Sequence, residues 1–172
     1  MLIRTLTVCA LIGLVNTAAA EHPSTAPMVY HSADPAWYFP QGMCTYFAAR
    51  EFDVVAPRHL DWGNHAGTWV QNARQQGWKT SRNPWDAKPG ALIVWTGGTF
   101  GHVAVVRQVT GERVVIEEMN GGRYFVDEQA GKTDEYNVVR KRVLNVSSNF
   151  RRGQLRFAGF IYPETIPQLA AR

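Results

Sequence analysis

The sequence contains little cysteine. Only Cys9 and Cys44 occur among its 172 residues, and Cys9 falls in an N-terminal segment that we expect to be removed. A single remaining thiol cannot form an internal disulfide, so Cys44 does not stabilise the fold through a disulfide bond. A free cysteine is often a buried packing residue, but it can also be a nucleophile. The sequence around Cys44 must distinguish a packing residue from a nucleophile.

No apolar run is long enough to cross a bilayer. The run from Leu6 to Val15 is well short of the ~20 residues that a transmembrane helix needs. Arg4 precedes it, and small residues up to Ala20 follow it, which is typical of an export signal cleaved after Ala20. Cys9 lies inside the run, which argues against a lipoprotein signal. We therefore expect residues 1–20 to be a signal peptide and the mature protein to be exported, either to the periplasm or as a secreted protein.

The sequence also lacks a strong excess of charge. Its 18 Lys and Arg residues against 14 Asp and Glu residues give no argument for a nucleic-acid partner, and none is predicted. Basic residues nevertheless concentrate between Asn137 and Arg156, where Asp and Glu are absent. This basic segment could dock an anionic envelope polymer, or it could protect exposed strand edges from aggregation. Its basic residues are Arg140, Lys141, Arg142, Arg151, Arg152 and Arg156.

Paired metal ligands are another missing feature. His22, His31, His59 and His65 show no metal-ligand spacing, and Asp34 stands alone. These histidines are most simply surface or loop residues. We therefore predict no metal and no cofactor.

The remaining pattern predicts a single α+β domain over residues 38–165. A flexible arm is expected over residues 21–37 and a C-terminal tail over 166–172. One helix is predicted from Cys44 to Phe52, and a second from an Asn64 cap to Gly77. Both are expected to pack on one antiparallel sheet of about six strands. The predicted strands span Ala91 to Trp95, His102 to Val109, Arg113 to Glu118, Arg123 to Val126, Val138 to Val143 and Phe157 to Tyr162.

The surroundings of Cys44 favour catalysis. At the N-terminus of a helix, unpaired backbone amides and the helix dipole favour the reactive thiolate. Gly42 allows a sharp turn into this helix. The amide of Cys44 would then point to the position where a carbonyl oxygen becomes negative during attack. His102 is the best candidate for the base, because it opens a strand directly after a glycine-rich loop.

Strand periodicity selects a third member of the site. A Cys–His pair needs a group that orients the imidazole. On the strand that follows His102, the period of two places Glu118 and Asn120 on one face and Glu117 on the other, which selects Glu118 over Glu117 if Asn120 faces the cleft. A tight hairpin joins the two strands, so Glu118 can lie beside His102.

The order of these motifs resembles the CHAP family, the cysteine, histidine-dependent amidohydrolases and peptidases of cell-wall lysins. The resemblance runs from about Phe39 to Tyr162. Several short matches at compatible spacing are much more specific than any one of them. They are Phe39-Pro40-Gln41-Gly42-Met43-Cys44-Thr45-Tyr46, Trp62-Gly63-Asn64, Pro89-Gly90-Ala91, Gly101-His102-Val103-Ala104 and Glu118-Met119-Asn120.

The resemblance implies a papain-like fold and a role for each matched residue. Cys44 would be the nucleophile, His102 the base and Glu118 the orienting acid, with Asn120 supporting the imidazole or the oxyanion. The substrate would be peptidoglycan, cut at an amide bond, either as an N-acetylmuramoyl-L-alanine amidase or as an endopeptidase of the stem or cross-bridge. Residues predicted to contact substrate are Tyr46, Trp62 and Asn64, of which Tyr46 and Trp62 would form groove walls.

Two positions depart from the family pattern. Met43 stands before the nucleophile, where the family usually has a polar residue, so the oxyanion would depend more on backbone amides. Gly121 stands where the family often has an aromatic residue, which would open one wall of the groove. A monomer is expected. A catalytically inactive wall-binding module with the same fold remains the alternative.

Overall fold

The structure, a computed structural model, describes residues 39–121 and 137–165. All of them belong to one compact unit. The predicted signal peptide over 1–20, the arm over 21–37, the tail over 166–172 and the strand from Arg123 to Val126 lie outside the described residues. These four expectations therefore stay predictions.

The first predicted helix is confirmed. Helix α1 spans Cys44–Asp53 and begins two residues after Gly42, whose φ of 76° lies in the left-handed region that glycine adopts easily. Its buried face packs on the central strands of the sheet. That face consists of Cys44, Tyr46, Ala48, Ala49 and Phe52.

The second predicted helix is divided into two parts. A 3₁₀ turn spans Ala66–Thr68, and helix α2 follows over Trp69–Gln75. The expected backbone cap by Asn64 was wrong, because its side-chain oxygen instead accepts hydrogen bonds from Thr68 Oγ1 and Asn72 Nδ2, each at 2.8 Å. Neither helix of the described part is long and apolar enough to cross a membrane.

Six strands form one antiparallel sheet in the order β1-β6-β2-β3-β4-β5. Five correspond to predicted strands. The prediction missed β1, a short edge strand whose sequence has little apolar alternation. The strands are β1 Trp78–Ser81, β2 Leu92–Thr96, β3 His102–Thr110, β4 Arg113–Met119, β5 Val139–Asn145 and β6 Arg156–Thr165.

The sheet is buried on both faces, and β3 shows the alternation. Val103 and Val105 pack with the helices, as predicted from the period of two. Ala104 and Val106 point to the opposite face. Residues of the segment 146–155, among them Phe150, cover that face. The α+β architecture with helices on an antiparallel sheet is therefore confirmed.

Candidate active site

Cys44 is the first residue of α1. The preceding residue, Met43, has extended backbone angles and makes no side-chain capping bond, and the first turn holds no acidic residue. The backbone amides at this end therefore face no acidic side chain from their own turn and are suited to bind an anion. The thiol itself is buried, with 5% of Cys44 exposed.

His102 connects the thiol to a carboxylate. It is fully buried, and its Nε2 lies 2.8 Å from Glu118 Oε2. The imidazole also interacts electrostatically with the side chain of Cys44. Since Glu118 occupies Nε2, Nδ1 is the nitrogen available to the thiol. The structure thus brings the three predicted residues together in the predicted order.

The environment of His102 favours its protonated form. Burial acts to lower the pKa of His102, but the negative charge and hydrogen bond of Cys44, together with those of Glu118, outweigh burial and raise the pKa. This direction is the one that a thiolate–imidazolium pair requires.

Strand parity distinguishes the two glutamates as predicted. Glu118 is fully buried beside His102. Glu117 points to the other face, where Arg107 Nε donates to its carboxylate at 2.6 Å and Lys141 lies 3.5 Å from it. Glu117 is therefore part of a partly exposed ion-pair network, separate from the imidazole.

Two arginines of the basic segment, Arg142 and Arg152, bind Glu118, a contact that the sequence pattern did not predict. Arg142 Nε donates to Glu118 Oε1 at 2.7 Å. Arg152 donates to both oxygens of the same carboxylate, with 3.1 Å between Nη2 and Oε1. These two residues therefore bind a buried carboxylate, while the docking surface or edge guard formed by the basic segment stays a prediction. Burying a carboxylate is costly unless positive charges lie beside it. This requirement was the one feature of Glu118 that could have pointed to nearby arginines.

Glu118 is ionised throughout the ordinary pH range. Burial acts to raise the pKa of Glu118, but the hydrogen bond and charge of His102 and the charge of Arg152 lower the pKa to about 2. The carboxylate is therefore always available as an acceptor for the imidazole.

We expect this carboxylate to make stability depend on pH in acid. A pKa lowered from 4.5 to about 2 contributes about 3 kcal/mol to the free energy of unfolding at neutral pH. Because the folded pKa is the lower one, this contribution is present above about pH 5 and is lost as the pH falls toward 2. Urea unfolding of wild type and Glu118→Gln between pH 7 and 2 would measure it. Parallel curves for the two proteins would contradict the assignment.

Asn120 holds the loop before the nucleophile. Its φ of 57° ends the strand geometry of β4. Asn120 therefore does not continue the alternation that was expected to put it on the same face as Glu118. Its Nδ2 donates to the carbonyl oxygen of Gly42 at 2.6 Å and contacts Met43 Sδ at 3.6 Å. The amide nitrogen of Asn120 thus binds the loop before Cys44, and the predicted support of the imidazole or the oxyanion stays a prediction.

Replacing Asn120 by aspartate is expected to lower kcat by about 10- to 100-fold, because misplacement of a nucleophile by a fraction of an ångström is costly. Aspartate tolerates the left-handed backbone, but it sets a carboxylate against the Gly42 carbonyl. Asn137→Asp is the matched control. Asn137 also has a positive φ, but it is the backbone amide of this residue that donates to Gly42. Equal effects of the two substitutions would refute the role of the Asn120 side chain.

The predicted substrate-contacting residues are mostly in the core. Tyr46 is 2% exposed and Trp62 is 8% exposed, so neither ring presents a wide face to solvent. Asn64 is exposed, but its side-chain oxygen accepts the two bonds described above. Their predicted roles as groove walls or substrate contacts are therefore not supported by their placement. A more exposed aromatic contact lies in the loop before His102, where the rings of Phe100 and His65 are 4.7 Å apart.

No group of three His, Cys, Asp or Glu side chains within residues 39–121 and 137–165 is placed to hold one metal ion. The absence of a metal requirement stays a prediction.

Comparison with known proteins agrees with this arrangement. A model of the CHAP domain matches residues 34–120. A Streptococcus mutans protein named as a hydrolase is 32% identical over 101 residues, which cover 58% of this chain and 44% of that protein. The Staphylococcal secretory antigen ssaA2 of Staphylococcus aureus is 36% identical over 86 residues, covering 49% of this chain and 30% of the antigen. The chain thus spans less than half the length of these relatives.

The fold is shared with a solved enzyme structure. An N-acetylmuramoyl-L-alanine amidase from Staphylococcus aureus superposes with a TM-score of 0.53 at 21% identity, covering 73% of this chain and 31% of that one. The shared architecture is the papain-like α+β fold predicted above. Since the family model spans half of the sequence and includes Cys44, His102 and Glu118, the chain belongs to the CHAP domain family.

Proposed function

We propose that this protein is a peptidoglycan hydrolase that cleaves an amide bond, with Cys44 as nucleophile, His102 as base and Glu118 as the orienting carboxylate. The observation that carries the proposal is the buried imidazole of His102, which lies 2.8 Å from Glu118 through Nε2 and also interacts with the side chain of Cys44. Such an arrangement activates a thiol for acyl transfer.

The proposed reaction has two stages. The Cys44 thiolate attacks the carbonyl carbon, and the backbone amide of Cys44 stabilises the oxyanion. The His102 imidazolium gives its proton to the leaving amine, which leaves an acyl-enzyme. His102 then takes a proton from water as the resulting hydroxide attacks the thioester, the Cys44 thiolate leaves, and the thiolate–imidazolium pair is restored. Glu118 holds Nε2–H throughout, so that Nδ1 carries every proton exchanged with the reacting atoms.

Peptidoglycan is the proposed substrate because of the family membership and the fold shared with a muramoyl amidase. Digestion of purified peptidoglycan, followed by mass spectrometry of the new amino termini, tests this directly. New termini at L-alanine indicate an amidase, and termini inside the stem or cross-bridge indicate an endopeptidase. If no new termini form while Cys44 is intact and reduced, the proposal is refuted.

A catalytically inactive wall-binding module is the alternative function. It would use the exposed remainder of the basic segment, including Arg151 and Arg156, to dock an anionic envelope polymer. The thiol distinguishes the two functions. The enzyme should react with iodoacetamide at Cys44 faster than a free thiol does near neutral pH, whereas a module that keeps only the fold should not.

Export and a monomeric state are part of the same proposal. Peptidoglycan lies outside the cytoplasmic membrane, so the substrate requires the export that the first twenty residues predict. Amino-terminal sequencing of the secreted or periplasmic protein should begin at Glu21. Recovery of the uncleaved chain from the cytoplasm alone would contradict this part.

A further inference from the structure

We propose that Arg142 and Arg152 are positioning residues for the catalytic triad, holding the Glu118 carboxylate in the orientation that meets His102 Nε2. This inference rests on the proposed function. We call the two side chains the arginine clamp. Both lie beyond residues 34–120, the part of the chain that matches the family model.

The geometry of the clamp determines the position of both carboxylate oxygens. Oε1 accepts from Arg142 Nε at 2.7 Å and from Arg152 Nη2 at 3.1 Å. Oε2 accepts from Arg152 Nη1 and lies 2.8 Å from His102 Nε2. A glutamate side chain has three rotatable bonds, so it needs such contacts to present one oxygen to the imidazole.

The clamp is itself anchored to a fixed point of the backbone. The carbonyl oxygen of Gly121 accepts from Arg142 Nη2 at 3.1 Å and from Arg152 Nη2 at 2.8 Å. Each guanidinium therefore bridges the carboxylate and the chain three residues after it. A lysine could supply the charge at either position, but not this bridged geometry.

Arg152 also shares a platform with the imidazole. Its guanidinium carbon lies 5.2 Å from the centre of the Trp95 ring, and the Trp95 and His102 rings are 5.7 Å apart. Trp95 is fully buried and donates to the carbonyl oxygen of Phe150 at 2.7 Å. Arg152 and His102 are thus held against the same rigid side chain.

The clamp changes the charge that the imidazole experiences. One carboxylate with two guanidinium groups carries a net charge of about +1, so Glu118 can accept the hydrogen bond of the imidazole N–H without its full negative charge acting on His102. The charged and titratable groups around Glu118 come from four parts of the fold. They are His102 on β3, Cys44 on α1 through that imidazole, Arg142 and the cross-strand partner Arg140 on β5, and Arg152 in the turn before β6.

A purely structural role would give a different result. If the arginines only anchored the chain, their removal would lower stability but leave the folded thiol–imidazole pair unchanged. If they position Glu118, the pH dependence of the thiol in the folded variants must move. Losing a cation favours protonation of the groups beside it, so the expected movement is toward higher pH.

The test measures alkylation of Cys44 by iodoacetamide from pH 3 to 10 in the mature protein, without any substrate. Arg152→Gln is expected to move the profile upward by about one pH unit, in the range found when an opposite charge beside a titrating group is removed. Arg142→Gln should move it less, because Arg142 is 41% exposed and Arg152 only 14%. Arg151→Gln is the matched control, since it removes the same charge from an exposed neighbour.

Two further variants separate geometry from charge and folding. Arg152→Lys keeps the charge and should retain the pH profile, while lowering kcat on peptidoglycan because the bridge to Gly121 is lost. In a Glu118→Gln background, Arg152→Gln should no longer lower kcat further, since the positioning effect of the clamp acts through Glu118.

The clamp is refuted if folded Arg152→Gln and Arg151→Gln give the same profile and the same kcat. It is also refuted if Arg152→Lys retains full kcat. If Arg152→Gln moves the alkylation profile of Cys44 upward as expected but wild type cleaves no peptidoglycan, the proposed function fails while the clamp stands.

Discussion

Replacing Cys44 by alanine is expected to lower kcat on peptidoglycan by about four to six orders of magnitude, as removal of a covalent nucleophile does in other acyl-transfer enzymes. In the described part of the chain, Cys44 is the nucleophilic side chain that interacts with His102, whose Nε2 lies 2.8 Å from Glu118. The measurement is the release of soluble muropeptides from purified peptidoglycan by equal amounts of folded wild type and variant.

The same substitution should leave the fold intact. It removes a single sulfur atom from a core position that is 5% exposed, and we expect the free energy of unfolding to change by less than about 2 kcal/mol. Sedimentation with insoluble peptidoglycan should be retained, because binding does not need the thiol. Unchanged hydrolysis by Cys44→Ala would eliminate the cysteine mechanism, whereas loss of hydrolysis together with unfolding would require the milder Cys44→Ser for the same measurement.

Replacing Gly121 by alanine is expected to damage both stability and catalysis. A Cβ atom at this position would lie 2.1 Å from Glu118 Cδ and 2.2 Å from Oε1. The carboxylate is buried and held by three partners, so it cannot move without breaking the bonds to His102 and to the arginine clamp. We expect a loss of about 3 kcal/mol in the free energy of unfolding, typical of a disrupted buried ion pair, and about a 100-fold loss in kcat from misplacement of the imidazole.

Gly67→Ala is the matched control for this substitution. Gly67, like Gly121, does not have a left-handed backbone, but a Cβ atom at position 67 would meet its nearest neighbours at an ordinary 3.6 Å. Chemical denaturation and muropeptide release should therefore be nearly unchanged in Gly67→Ala. Equal effects of the two alanines would show that Glu118 is not confined in the way the structure describes. The close approach of Glu118 also gives Gly121 a different meaning from the more open groove that its place in the sequence suggested.

Local pattern was sufficient to find the centre of the site. Cys44 follows a glycine at the start of a breaker-free segment, and His102 opens a strand after a glycine-rich loop, so both positions could be predicted from short stretches of sequence. Glu118 could be chosen over Glu117 because strand alternation is strict when a sheet is buried on one side or both. The same alternation failed at Asn120, because a left-handed residue ends the periodicity on which the prediction depends.

Burial of single side chains was harder to predict than the identity of elements. Tyr46 and Trp62 are next to the site in sequence, but they lie in the core because the helix and loop that carry them turn those rings inward. An amphipathic aromatic residue is compatible with a core and with a groove. Sequence adjacency to a motif therefore does not decide which one it occupies.

The sequence by itself determined the order and type of most elements and the candidate nucleophile, base and carboxylate, because these follow from interactions among residues close in the chain or on adjacent strands of one hairpin. Only the tertiary structure decided what surrounds that carboxylate. Arg142 and Arg152 lie 24 and 34 residues after Glu118, and no local period relates them to it. They meet it because β5 pairs with β4 and the segment before β6 folds over the outer face of the sheet. A buried charge requires counter-charges, but the long-range packing of the chain selects which residues supply them.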